Sequence, residues 1–230
     1  MTVMSLEKIR FRWPDQDTDT LNIPAFSLAK GEKVFLKGPS GSGKSTLLSV
    51  MAGIHKPQQG SIHLLDQPFS NLSSSKRDRQ RADHIGYIFQ QFNLLPYLSV
   101  LDNVLLPCHF SARRRQATQH PTREARRLLQ ALQLPAECLD RPVTQLSIGQ
   151  QQRVAAARAL IGQPALLIAD EPTSALDHEN RNHFIRLLME ECRQANTSLL
   201  FVSHDPTLTT DFDRVLDLTD MNMHKPGDRS

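Results

Sequence analysis

Residues 38–46 read Gly38-Pro39-Ser40-Gly41-Ser42-Gly43-Lys44-Ser45-Thr46, a match to the pattern G-x-x-x-x-G-K-[ST]. These residue types at this spacing suit one chemistry, the holding of phosphate. The glycines let the backbone curl until successive N–H groups point inward at phosphate oxygens. A helix that follows presents its positive end to the same anion. Lys44 supplies a mobile charge for the β- and γ-phosphates of a nucleotide, and Ser45 a hydroxyl for Mg²⁺. A chance match in a chain this long arises roughly once in a hundred. This match also has its required flanks, the apolar Val34-Phe35-Leu36 before it and a helical pattern over 44–53 after it.

A second group of reactive residues follows an apolar run. Leu166-Leu167-Ile168-Ala169 ends in Asp170-Glu171. A buried strand that delivers acids at its C-terminal edge places them where ligands bind in open α/β sheets. There Asp170 can steady Mg²⁺, and Glu171 can polarise a water for in-line attack on a γ-phosphate. The blander reading is that the two acids cap the next element. Downstream of a phosphate loop the first reading is the stronger.

The elements that must position these residues can be read from periodicity. Residues 165–169 and 198–202 are apolar without alternation, as strands buried on both faces of a parallel sheet are. Between them Phe184, Ile185, Leu188 and Cys192 fall at helical spacing over 178–195. Strand, helix, strand gives a βαβ unit and an α/β fold with a mostly parallel sheet. Residues 3–13 and 21–29 are strand-like around a polar loop, which predicts an N-terminal antiparallel edge. The stretch from about 92 to 163 is mostly helical, over 99–110, 121–133 and 147–162. It predicts an inserted helical subdomain rather than a separate domain, so residues 1–230 are expected to form one domain. The tail after Asp220 is expected to fray.

Composition excludes several classes. The 230 residues are 39% hydrophobic and 22% charged, an ordinary globular balance with room for a full core. The formal net charge is +3. Much of the excess sits in Lys76-Arg77-Asp78-Arg79-Gln80-Arg81 and Arg113-Arg114-Arg115, expected as solvated faces, or else as a surface for nucleic acid or lipid head groups. Cys108, Cys138 and Cys192 lack metal or redox spacing and are expected as reduced, buried or semi-buried thiols. No apolar run reaches the ~18 residues that span a bilayer. The N-terminus lacks the apolar core of a signal peptide. The chain is therefore expected in the cytoplasm, with any membrane role exerted through a partner.

Further motifs narrow the class. Leu146-Ser147-Ile148-Gly149-Gln150 resembles the ABC signature, whose usual form is LSGGQ. With it come Gln90 in Tyr87-Ile88-Phe89-Gln90, Ser174-Ala175-Leu176-Asp177 just after the acids, and Val202-Ser203-His204-Asp205 at a strand end. In order and spacing the chain resembles the ABC ATPases over about residues 3–220. The resemblance implies a P-loop NTPase core with an N-terminal antiparallel β subdomain and a helical signature subdomain. It implies ATP hydrolysis with Mg²⁺ bound by Ser45, Gln90 and Asp170, and catalysis by Glu171, His204 and Gln90. Trp13, just before the Pro14 loop, is expected to stack on the adenine, with Phe11 as the alternative. Ser147 and Gln150 form an S-x-x-Q helix cap, and the resemblance implies that Ser147, Gly149 and Gln150 close over ATP held by a second copy, with Asp177 crossing the dimer interface. Ile148 departs from the usual glycine and is expected to slow closure or weaken the dimer.

Gln90-Gln91-Phe92-Asn93-Leu94-Leu95-Pro96 and the segment after it resemble the subfamily that includes LolD, MacB and FtsE. That resemblance implies a separate membrane subunit of four helices with a large extracytoplasmic domain, received in an apolar groove of this chain at the cytoplasmic face of the inner membrane. It implies export, lipoprotein release or mechanotransmission. Phe92, Leu94 and Leu95 read equally well as subdomain core. The competing class is a soluble ABC ATPase acting on nucleic acid or a cytosolic complex. The lack of long heptads, zinc-type cysteine pairs and a second core argues against it, and no nucleic acid partner is expected. A catalytically weak, sensory subunit is a third reading, raised by Ile148 alone.

Overall fold

The computed structural model describes residues 1–174 and 177–223. Ala175 and Leu176 lie outside the described residues, as does the tail from residue 224. Two long strands, β1 (Thr2–Phe11) and β2 (Leu21–Ala29), lead to β3 (Lys33–Lys37) and α1 (Lys44–Met51). Then come β4 (Gln59–Leu64), β5 (Gln67–Pro68), α2 (Ser74–His84) and β6 (Ile85–Ile88). Helices α3 (Val100–Phe110), α4 (Ala112–Ala117), α5 (Pro121–Ala131) and α6 (Ile148–Leu160) follow, inserted before β7 (Leu166–Asp170). The chain closes with α7 (His178–Gln194), β8 (Ser198–Val202), β9 (Arg214–Asp217) and α8 (Leu218–Met221).

The strands form two sheets. One has five parallel strands in the order β6-β7-β8-β3-β9. The other has four antiparallel strands in the order β2-β1-β4-β5. The N-terminal strands therefore build a sheet of their own instead of edging the parallel one, because β4 and β5 pair with them. A register irregularity in β1 between Glu7 and Arg10 coincides with Lys8 at φ 51°. It moves the buried set from Met4 and Leu6 to Ile9 and Phe11, one step out of phase. Gly60 lies opposite, where a Cβ would sit 2.4 Å from the carbonyl oxygens of Glu7 and Lys8.

Successive side chains of the parallel strands enter two different cores. Leu166, Ile168, Leu200 and Val202 pack with α1 and the antiparallel sheet. Leu167, Ala169, Leu199 and Phe201 pack with the helical insertion and α7. Each fully buried side chain of this kind contributes about 1.5–3 kcal/mol. The central sheet is thus clamped from both faces, and its C-terminal edge is a fixed platform. Gly86 in β6 lets α6 come close, since a Cβ there would meet the Ala159 carbonyl oxygen at 2.3 Å. Cys108, Cys138 and Cys192 are all buried free thiols.

The basic clusters are not simply solvated faces. Arg77 Nε donates to the Gly53 carbonyl at 2.8 Å, and Arg81 Nη1 reaches the same oxygen at 3.3 Å, just past the C-terminus of α1. Arg114, 2% exposed, donates to the carbonyls of Ala159 and Ile161 at the end of α6 and to that of Ile85 in β6. Arg113 reaches the carbonyls of Asp83 and Gln163. Two helix ends with unpaired carbonyls and a negative dipole draw these guanidiniums inward. Burial holds the Arg114 guanidinium down at about 10. The tail also differs from expectation up to Met223. Asn222 accepts from the Asn22 amide at 2.7 Å and donates to the Thr20 carbonyl at 3.0 Å.

Candidate functional site

The loop 38–43 joins β3 to α1 at the C-terminal edge of the parallel sheet. Gly41 (φ 79°) and Gly43 (φ 96°) take left-handed backbone that side chains resist. A Cβ on Gly41 would meet nothing within 4 Å, so the loop is open on that side. Gly43 caps α1 with no side-chain hydrogen bond, and the first turn carries no acid. The N–H groups of that turn are therefore left for an anion. Lys44 Nζ donates to the carbonyls of Gly38 at 2.7 Å and Pro39 at 3.0 Å. Ser42 Oγ is buried with no hydrogen-bond partner among the described residues. A buried hydroxyl left unpaired is costly, which is the expected state of a cradle shaped for a ligand.

The acids stand beside this cradle. Asp170 ends β7 and hydrogen-bonds the Ser45 side chain. Burial raises the Asp170 carboxyl above its ordinary range, Glu171 raises it further, and Lys44 and the Ser45 bond oppose the rise. Glu171 takes a left-handed φ of 45° while its amide donates to the Val202 carbonyl at 3.0 Å. Strained backbone of this kind persists where the surroundings over-determine it, often at active sites. Its Oε2 accepts from His204 Nδ1 at 2.8 Å, and its Oε1 lies 4.0 Å from Lys44 Nζ. Lys44, Ser45, Asp170, Glu171 and His204 are thus brought together from the ends of three adjacent strands.

Each of the other expected residues has its own setting. Gln90 is exposed in the turn after β6. Trp13 is half-buried, edge-on to Phe11 at 5.1 Å and to His55 at 4.8 Å between ring centroids. The signature residues sit at the N-terminus of α6 in a complete capping box. The Ser147 amide donates to Gln150 Oε1 at 2.9 Å, and the Gln150 amide to Ser147 Oγ at 3.3 Å. Ile148 is 55% exposed there. Among the described residues no hydrogen bond or ion pair joins this turn to the cradle of the same chain. Asp177 caps α7 by accepting from the Asn180 amide at 3.0 Å. Thr46 lies in the first turn of α1.

Two residues escaped the sequence reading, Arg158 and His55. A cavity of about 360 Å³ lies between α2, β6 and α3, with Ile54, Tyr87, Leu106, Phe110 and Arg158 among its lining. Arg158 on α6 donates to the carbonyls of Phe92 and Asn93, both left-handed at φ 60° and 48°. His55, the ring beside Trp13, was also missed, because it follows α1 by sequence and meets β1 only in the fold.

A phosphate cradle between a sheet edge and a helix, faced by a carboxylate and a histidine, defines a P-loop nucleotide hydrolase. The family model described as "ABC transporter" matches residues 21–174. A shorter match, to "AAA domain, putative AbiEii toxin, Type IV TA system", overlaps it over 139–211. The chain is 41% identical to the lipoprotein-releasing system ATP-binding protein LolD of Hydrogenovibrio crunogenus, over 88% of this chain and 86% of that protein. It is 42% identical to the ABC transporter ATP-binding protein YbbA of Escherichia coli, over 82% and 81%. The ATP-binding cassette MJ0796 of Methanocaldococcus jannaschii, in a dimeric post-hydrolysis state bound to ADP and Pi, superposes with a TM-score of 0.81 at 32% identity, covering 93% of both chains. This chain belongs to the ABC transporter family and is an ATP-binding subunit with ATPase activity.

Proposed function

We propose that this subunit hydrolyses ATP as one half of a two-fold dimer and so drives a separate membrane subunit of the LolD type. Residues 1–230 act as one ATPase unit, with 92–163 as its helical subdomain. Gly38, Pro39, Ser40, Gly41, Ser42, Gly43, Lys44, Ser45 and Thr46 hold the phosphates, and Trp13 stacks on the adenine. Ser45, Asp170 and Gln90 would hold Mg²⁺, which would neutralise charge on the phosphates. Glu171 draws the proton of the attacking water, and His204 keeps its carboxylate aimed. Ser147, Gly149 and Gln150 of the second copy close the site, with Asp177 at the interface.

The observation that carries this reading is the Glu171–His204 hydrogen bond of 2.8 Å beside Lys44. A general base held by an orienting partner at a phosphate cradle is the arrangement a hydrolase needs. The match to a dimeric cassette holding ADP and Pi supports the two-copy site. Loss of the γ-phosphate then removes contacts made only in the closed dimer, which shifts an open–closed equilibrium. The inward-turned arginines weigh against nucleic acid as the partner.

Among the described residues no helix is long and apolar enough to cross a membrane. The 360 Å³ groove, with exposed Phe110 and Ile54 on its rim, is the surface for a cytoplasmic helix of the membrane subunit. We place the chain at the cytoplasmic face of the inner membrane, beneath a four-helix subunit with a large extracytoplasmic domain. The work is export, lipoprotein release or mechanotransmission. The test is to trap tagged Glu171→Gln with ATP and Mg²⁺, solubilise membranes gently and identify what co-purifies. A four-helix protein with a large external domain is expected. A partner with five or more spanning helices overturns the subfamily reading, and recovery only with soluble or nucleic acid partners overturns the transport reading.

A further inference from the structure

We propose that Arg158 is a positioning residue that makes the Gln90 turn and the signature end of α6 move as one body. This rests on the reading of Gln90 as a ligand of the metal and the attacking water. The guanidinium of Arg158 forks onto two consecutive carbonyls, Asn93 at 2.7 Å and Phe92 beside it. The two bonds come from two separate nitrogens of one rigid plane, so the guanidinium fixes the spacing of both carbonyls, which the single nitrogen of a lysine on a flexible stem does less firmly. Both acceptor residues are left-handed, an uncommon state for a bulky residue such as Phe92, so the turn needs something to hold it. The buried Phe92 ring packs into the helical core and supplies the second anchor.

The clasp lies three residues from Gln90 on one side and at the far end of α6 from the signature on the other. Ten residues of α-helix separate Arg158 from Ile148, a rigid rod of about 15 Å. Gln90 belongs to the end of β6, on the sheet that carries the cradle, and Ser147 belongs to the surface that faces a second copy. A shift of the Gln90 turn is therefore passed through the fork to α6 and on to the capping box. Asn93 and Arg158 also line the groove, so an occupant of the groove bears directly on the fork.

The test is a double-mutant cycle on ATP hydrolysis by the full chain, with Arg158→Ala, Gln90→Ala and the double variant, together with ATP binding at equilibrium. Arg158→Ala is expected to lower kcat about tenfold while KM stays within about twofold. In the Gln90→Ala background the same change is expected to cost less than about twofold, because the residue it positions is gone. Arg158→Lys keeps the charge without the fork and is expected to stay well below wild type; it carries the same cycle if the alanine variant does not fold. Equal losses in both backgrounds, or full recovery by lysine, overturn the link and leave Gln90 in its role. A Gln90→Ala variant with undiminished kcat overturns the reading of Gln90, and the link falls with it.

Discussion

In the proposed dimer two helix N-termini meet the nucleotide, and they are prepared in opposite ways. At α1 the cap is Gly43, with no side-chain bond, no acid in the first turn and a buried Ser42 hydroxyl without a partner among the described residues. At α6 the cap is Ser147, and the capping box with Gln150 satisfies donors in both directions. The first end is unfinished by itself, so an anion completes it. The second is complete by itself, so it is stable while exposed and can wait for a second copy. A site shared between two chains needs this division, since a pair of unfinished ends would be costly on the side that solvent reaches first.

The largest effects should separate the two ends. Lys44→Ala removes the charge from the unfinished end, and hydrolysis is expected to fall on the order of a hundredfold or more, with ATP affinity of the single subunit falling too. Ser147→Ala breaks the capping box, at about 1 kcal/mol of stability. It is expected to leave ATP binding by the single subunit within about twofold while lowering turnover and ATP-driven dimerisation. Equilibrium binding with size-exclusion chromatography in ATP distinguishes them. Wild-type turnover in Lys44→Ala, or loss of monomer binding in Ser147→Ala, would collapse the distinction.

Both ends could be read from sequence, the second because Ser147 and Gln150 stand at capping-box spacing. The cradle is one local run, and its flanking strand and helix follow from periodicity, so its placement was legible. Asp170 and Glu171 were legible because an unbroken apolar strand ends at them. The arginines were not. Charge clusters read as solvated faces when nothing nearby demands them, and the demand comes from carbonyls at the ends of α1 and α6, distant in sequence. The same holds for β4 and β5, which are short, polar in places and fixed by pairing with β1.

Arg114 tests whether that inward turn matters as much as the cradle's lysine. Arg114→Met keeps much of the volume but leaves the carbonyls of Ala159, Ile161 and Ile85 without their donor. A loss of about 2–3 kcal/mol is expected in denaturant unfolding. An unchanged midpoint would mean that water replaces the guanidinium there, and that the cluster is surface charge after all.

The smallest change is the one that bears most closely on the second end. Ile148 stands where the family signature has glycine, and it is exposed at the first position of α6. The capping box forms with it in place. In the proposed dimer its cost falls on the approach of the second copy, where a β-branched side chain would stand beside the closing turn. Ile148→Gly is therefore expected to lower stability by about 0.5–1 kcal/mol, since glycine loses more freedom in a helix. It is also expected to raise turnover a few-fold, roughly twofold to fivefold, by easing closure. Opposite signs in melting and in kcat are the mark of a residue that stabilises the waiting state at the expense of the closed one. If both fall together, Ile148 serves the closed dimer, and the second end is fitted to its partner as tightly as the first is to phosphate.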